Sequence, residues 1–164
     1  YTTFRALSEK VCFKVAKVLG VKGVRSVSKQ LPFIGGEIED VDAYIEDHYE
    51  LEASVYSVSK PIYVHLIRRY GSLYVDVLAV FLEREDYQES LPECSYFRGE
   101  VVYAIRKEFC LRVTDFMRRR TDLFFQEDKG QACLDAVVDL FQEELGWSDN
   151  QKGLEKQLYL DFIR

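Results

Sequence analysis

Only three prolines and nine glycines occur among 164 residues, too few for a collagen-like, proline-rich or glycine-rich linker chain. No apolar run approaches the roughly 20 residues that a membrane-spanning helix needs; the longest, around 75–82, carries Asp76 and is followed at once by Glu83. A basic excess is missing too. With 22 Lys and Arg against 28 Asp and Glu, the net charge is −6, which argues against a nucleic-acid binder working by counterion release. The four cysteines, Cys12, Cys94, Cys110 and Cys133, contain no CxxC pair and no histidine at zinc-ligand spacing, so they read as buried thiols of a reducing compartment and no metal site is expected. Methionine occurs once, at Met117, and the chain opens at Tyr1, so the sequence reads as a piece of something longer.

What is present is enough for one core. Hydrophobic residues make up 48% of the chain, with 11 Tyr and 11 Phe, so residues 1–164 are expected to form a single domain. Phe4, Leu7, Val11, Val15 and Val18 recur at three- and four-residue steps, predicting a helix with one buried stripe, capped by Thr2 or Thr3 and stopped by Gly20 and Gly23. Residues 21–37 have no helical period and read as a connecting loop with a turn at Gly35 and Gly36. Further helix starts are expected at Asp40, at Ser59 before Lys60 and Pro61, at Ser72, after Gly99, and at Thr114 with Asp115. Val101, Val102, Ile105 and Phe109 share one predicted face. Cys133, Ala136, Val137, Leu140 and Phe141 make the cleanest stripe, closed by Gly146, and Leu154, Leu158 and Phe162 mark a last helix. Short β-branched stretches at 24–27 and 62–64 do not alternate long enough to build a sheet. The expected fold is all-α, a single bundle of about six to seven helices.

Chemistry-bearing motifs are sparse. There is no GxGxxG fingerprint, and Gly35–Gly36 is not followed by the lysine of a phosphate loop. His48 and His65 lack a Cys or His partner one helical turn away and a nucleophile context, so both are expected to be structural or surface residues. Glu37 with Glu39 and Glu143 with Glu144 do not resemble the spaced carboxylates of a hydrolase, and Asp149, Asn150, Gly153 and Glu155 fail the calcium-loop spacing. In the run Arg118, Arg119, Arg120, consecutive helical residues point about 100° apart, so at most two can face one anion. Asp115 stands four residues before Arg119, which makes helix-to-helix and i,i+4 ion pairs the favoured reading and a phosphate clamp the alternative. Glu100, Arg106 and Glu108 could join those arginines in a buried network that sets helix register.

The ordered segments YTTFRALSEK, LPFIGGEIEDVDAY, LIRRYGS and GEVVYAIRKEFCLRVTDFMRRRTDLFF resemble the carboxyl-terminal helical domain of FAD-dependent glycerol-3-phosphate dehydrogenase, over nearly the whole chain. The resemblance implies a whole enzyme that oxidises sn-glycerol 3-phosphate to dihydroxyacetone phosphate, with electrons passing through FAD to quinone at a membrane. It implies that Tyr1, Thr2 and Thr3 are the end of a GGKxTT loop touching the flavin, and it makes Arg119 and Arg120 candidates for the substrate phosphate. No catalytic residue is expected within the chain. The chain alone is expected to bind no cofactor, to be inactive, and to pack on its own amino-terminal FAD domain through an apolar surface prone to self-association. The ELGWSD segment before a helical tail is similar to mitochondrial members, implying the inner membrane. A stand-alone helical module that binds a partner through an apolar groove is the competing class.

Overall fold

The computed structural model describes residues 3–164; Tyr1 and Thr2, two of the three expected flavin-loop residues, lie outside the described residues. The chain is all-α. Seven helices of eight or more residues occur among the described residues: α1 (Phe4–Val18), α2 (Val41–Tyr56), α3 (Lys60–Tyr70), α4 (Tyr74–Phe81), α5 (Arg98–Lys107), α7 (Leu134–Leu145) and α8 (Asp149–Ile163). A short α6 (Val113–Asp115) runs directly into a π-helical turn, Phe116–Arg120. The β-branched stretches form no strand; Ile62 and Val64 lie in α3, and the sole ladder contact among the described residues is an isolated bridge between Ser90 and Phe97.

Local chemistry explains the boundaries. Asp40 caps α2, its carboxylate accepting from the Ala43 amide at 3.0 Å. Pro61 sits in the first turn of α3, where its missing N–H breaks no bond. Gly146 closes α7 in the left-handed conformation, and Ser148 caps α8 by accepting from Gln151 N. The core lies where α5 packs between α4 and α7, with α8 on α7 and α3 between α2 and α4. Val101, Val102, Val137, Val138, Phe81 and Phe141 are among its wholly buried side chains.

Three expected faces differ. The α1 stripe forms, but no residue of α1 is buried: Leu7, Val11, Val15 and Val18 are exposed, because no other described element covers them. Phe109 is not on the α5 face. That helix stops at Lys107, and Phe109, with φ of 53° and 87% exposure, points away. On α8 the inward side chains are Glu155, Tyr159 and Ile163, and the more apolar Leu154, Leu158 and Phe162 are exposed. Tyr159 wins the inward place because its hydroxyl donates to the Lys129 carbonyl at 2.6 Å while its ring fills the core.

The turn at Gly35 is locked to the end of α3. The Ser72 amide donates to the Gly35 carbonyl at 3.0 Å, and the Ser72 hydroxyl bonds Glu37. A Cβ at Gly35 would stand 2.6 Å from the Tyr70 carbonyl oxygen, and one at Gly71 would overlap the Gly35 carbonyl. Gly71 adds a φ of 56° with ψ of −134°, a region open essentially to glycine. Gly71→Ala is therefore expected to cost about 3 kcal/mol or more. Gly146→Ala, also left-handed but with nothing within 4 Å, should cost about 1 kcal/mol. Urea unfolding midpoints compare the two, and equal losses would show that the close backbone approach does not matter.

Candidate functional site

Glu100 is the third residue of α5, and its carboxylate turns back to accept from the Phe97 amide at 2.8 Å, which satisfies one open donor of the helix start. Its side chain is 0% exposed. A carboxylate taken fully out of water costs several kcal/mol unless charge and hydrogen bonds replace its hydration. Three residues on one end of α3 provide them. The Tyr70 hydroxyl donates to Oε1 at 2.9 Å, Arg69 Nε stands 3.2 Å from Oε1, and His65 Nε2 lies 3.0 Å from Oε2. His65 and Arg69, four residues apart, share one face of α3, and Tyr70 reaches the same carboxylate from the last residue of that helix.

Arg69 carries the network outward. Nη1 donates to the Tyr96 hydroxyl at 3.0 Å and Nη2 to the Arg120 carbonyl at 2.5 Å, while the guanidinium lies 4.2 Å from the Tyr96 ring centroid. The Tyr96 hydroxyl in turn donates to Asp122 Oδ1 at 2.6 Å and accepts from the Asp122 amide at 3.1 Å. Burial works against the Arg69 charge, yet Glu100, Tyr70 and Tyr96 beside it outweigh that and its pKa is raised. Burial first, and Glu100 second, push the Tyr70 phenol up, so it stays a donor. For Tyr96 burial and the bond to Asp122 act the same way.

The arginine run sits on the π turn, where the Thr121 amide and hydroxyl both donate to the Phe116 carbonyl, at 3.0 and 2.7 Å. The wider turn sends the three guanidinium groups three ways. Arg118 lies over the rings of Phe124 and Phe162, at 5.2 and 5.1 Å. Arg119 pairs with Asp115 one turn back. Arg120 stands 3.6 Å from the Glu108 carboxylate and donates to the Glu108 carbonyl at 2.6 Å. Arg119 and Arg120, the phosphate candidates, thus each face a carboxylate. Arg106 turns elsewhere, to Glu144 at 2.6 Å and Glu83 at 2.7 Å. Thr3, the one described residue of the expected flavin loop, precedes α1 without a side-chain cap bond.

Of the residues singled out in the sequence, Glu100 and His65 meet in the network, and the Arg120 backbone joins it. His48 does not: it stacks on Tyr44 at 4.0 Å, with Nδ1 2.9 Å from the Tyr44 carbonyl. Arg69, Tyr70 and Tyr96 were not singled out. The one signal for the first two was the LIRRYGS segment itself. Chemically, the network holds a consumed carboxylate and no activated nucleophile. Among the described residues no group of three or more His, Cys, Asp or Glu side chains could hold a metal ion. Among the described residues there is no sheet and no strand-to-helix turn of the kind that cradles a dinucleotide pyrophosphate. No helix among the described residues is long and apolar enough to cross a membrane.

Residues 26–152 match the family described as the C-terminal domain of alpha-glycerophosphate oxidase. The chain belongs to that family. It is 27% identical over 171 residues to the "Probable glycerol-3-phosphate dehydrogenase, mitochondrial" of Dictyostelium discoideum, an alignment that covers 100% of this chain and 25% of that protein. It is 31% identical over 145 residues to the "Aerobic glycerol-3-phosphate dehydrogenase" of Staphylococcus saprophyticus, covering 85% of this chain and 25% of that protein. To the "Glycerol-3-phosphate dehydrogenase, mitochondrial" of Rattus norvegicus it is 28% identical over 171 residues, covering 99% and 22%. The chain thus spans about a quarter of the length of the curated relatives it matches, and those relatives are both mitochondrial and bacterial.

Because Glu100 is buried and Arg69 is its charged partner, Glu100→Ala, which strands Arg69, should cost about 3–5 kcal/mol. The exposed pair of Arg68 with Asp42, at 2.7 Å, sets the contrast: Arg68→Ala should cost about 0.2–1 kcal/mol. Losses at Glu100 and Arg69 that simply add in a double-mutant cycle would show that the two do not act as a unit.

Proposed function

We propose that residues 1–164 are the carboxyl-terminal helical domain of an FAD-dependent glycerol-3-phosphate dehydrogenase. The whole enzyme would oxidise sn-glycerol 3-phosphate to dihydroxyacetone phosphate and pass electrons through FAD to quinone at a membrane, the mitochondrial inner membrane by likeness to the mitochondrial relatives. Apart from the loop end at Tyr1, Thr2 and Thr3, the flavin and the substrate would be held by the part of the enzyme that this chain does not span. The domain's own work is then architectural: it packs on the FAD domain and holds one side of it in place.

The observation that carries this reading is the uncovered face of α1. A 15-residue amphipathic helix gains little from propensity alone and draws its stability from what covers its apolar side. Between α1 and residues 24–33 lies an open cavity of about 420 Å³, lined among others by Phe4, Cys12, Phe13, Leu31 and Phe33. An apolar face beside an apolar cavity, on the segment nearest the proposed flavin loop, suits a domain contact. Tyr1, Thr2 and Thr3 are proposed to end that loop. Arg119 and Arg120 are proposed to serve the ion pairs with Asp115 and Glu108, with the substrate phosphate bound elsewhere.

The test compares two proteins. The whole protein should reduce a soluble quinone analogue when given glycerol 3-phosphate, whereas the 164-residue chain should show no turnover and no saturable flavin binding in a fluorescence titration. Tight stoichiometric binding of FAD to the chain alone would overturn the division of labour. In the whole protein, Arg119→Ala and Arg120→Ala should leave KM for glycerol 3-phosphate within about twofold, since uniform substrate binding would be untouched. A rise of about tenfold or more in KM, with kcat and folding intact, would instead place that arginine on the phosphate.

A further inference from the structure

We propose that the cavity between α1 and residues 24–33 binds an amphiphilic anion, a compact apolar body carrying one carboxylate, sulfonate or phosphate. Its volume of about 420 Å³ falls within the roughly 300–1,000 Å³ of small-molecule sites. Phe4, Phe13, Leu31 and Phe33 supply apolar walls, with the Phe4 and Phe33 rings stacked at 5.9 Å. The stripe proposed above to meet the FAD domain takes no part. Leu7, Val11, Val15 and Val18 do not line the cavity, whereas Phe4, Ser8 and Cys12, each four residues after the last, do. Thus α1 offers two adjoining surfaces, and the cavity lies on the one turned toward residues 24–33.

Charge selects the ligand. Residues 10–36 hold six Lys and Arg and no Asp or Glu, in a chain whose net charge is −6. Two guanidinium groups, Arg5 and Arg25, line the cavity against one carboxylate, Glu9. From Arg68 onward every arginine except Arg118 stands within 3.6 Å of a carboxylate oxygen. Arg5 and Arg25 pair with none among the described residues. Arg5 is otherwise engaged: it donates to the Ser28 carbonyl, and its guanidinium lies 4.9 Å from the Phe33 ring centroid. The Arg25 side chain makes no hydrogen bond among the described residues, so its donor fork is open to an anionic head. The Ser26 and Ser28 hydroxyls, 3.1 Å apart, line the same cavity and can add donors.

An inorganic anion would use the arginine and none of the walls, and a neutral hydrocarbon would use the walls and leave the arginine idle. A molecule with both parts uses both. Bound there, it would tie residues 24–33 to α1 and reinforce the contact that Arg5 makes with Ser28 and Phe33.

The probe is anilinonaphthalene sulfonate, which has this chemistry and fluoresces in apolar surroundings. Titrated into the 164-residue chain, it should show one saturable site. Arg25→Gln should weaken binding about tenfold, and the double variant Leu7→Ser with Val11→Ser, on the other surface, by less than about twofold. Uncharged anilinonaphthalene should bind about tenfold more weakly than the sulfonate, and equimolar inorganic phosphate should not displace the probe. Cys12 gives a site-specific readout, since it lines the cavity and is exposed. With the probe at about ten times its Kd, alkylation of Cys12 by iodoacetamide should slow about tenfold, read by peptide mapping with Cys94 as the internal reference. That measurement needs no variant and decides alone if a variant fails to fold. An unprotected Cys12, equal losses in Arg25→Gln and the double variant, or equal affinity for the uncharged analogue overturns the proposal. Protection of Cys12 by phosphatidylglycerol vesicles but not by the probe would assign the basic segment to a bilayer surface and overturns it likewise.

Discussion

A carboxylate with no access to water must be surrounded by donors, and that requirement at Glu100 dictates how the bundle is assembled. The start of α5 supplies one donor from its own backbone, and α3 supplies the rest through His65, Arg69 and Tyr70. A slide of α3 by one residue would carry all three away at once, since they reach Glu100 from one helix. Replacing buried ion pairs with apolar residues is often neutral or stabilising, so the stability of the fold is better ascribed to the valines and aromatics around α5 and α7. What the charged cluster contributes is a penalty on every other register. The apolar core alone does not impose it, because one valine contact substitutes readily for another.

Arg69 extends that constraint beyond two helices. Its fork is divided between Tyr96 and the Arg120 carbonyl, and Tyr96 is held at both donor and acceptor by Asp122. The π turn fits this scheme: widening at Phe116–Arg120 redirects the guanidinium groups of Arg118, Arg119 and Arg120 to separate partners and leaves the Arg120 carbonyl open to Arg69. The LIRRYGS and GEVVYAIRKEFCLRVTDFMRRRTDLFF segments, by which the sequence resembles its family, are the two that the network joins.

The helices themselves were legible because their signals are local. Asp40 before α2, Pro61 in α3 and Gly146 after α7 each act within one turn, and the 3.6-residue period does the remainder. The Asp115–Arg119 pair was readable for the same reason. Periodicity identifies an apolar face but not whether anything covers it, which is why α1 could not be told from a core helix. It also cannot weigh a tyrosine with a waiting carbonyl against a leucine without one, so the inward face of α8 was misplaced by one residue. The Glu100 network was the hardest to see: its partners are 30 to 35 residues away, and a buried carboxylate looks like any surface glutamate until the fold closes over it.

The same reasoning gives the Gly35–Gly71 contact its place. The bundle from α2 to α8 can be built without α1, and α1 with residues 19–34 buries no large apolar side chain of its own. The ties between the two are the turn at Gly35, pressed on the Tyr70 and Gly71 backbone, and the bond between Ser72 and Glu37. Tyr70 is also the residue that donates to Glu100. The point at which the outlying helix is fastened is thus one residue from the point at which the bundle is registered. A load placed on α1 by a covering domain would be delivered to α3, whose carbonyls and side chains lie in the interior network, and not to the surface loops. Close-packed backbone contacts yield far less than side-chain contacts between flexible chains, so a displacement of this turn is passed to α3 with little slack.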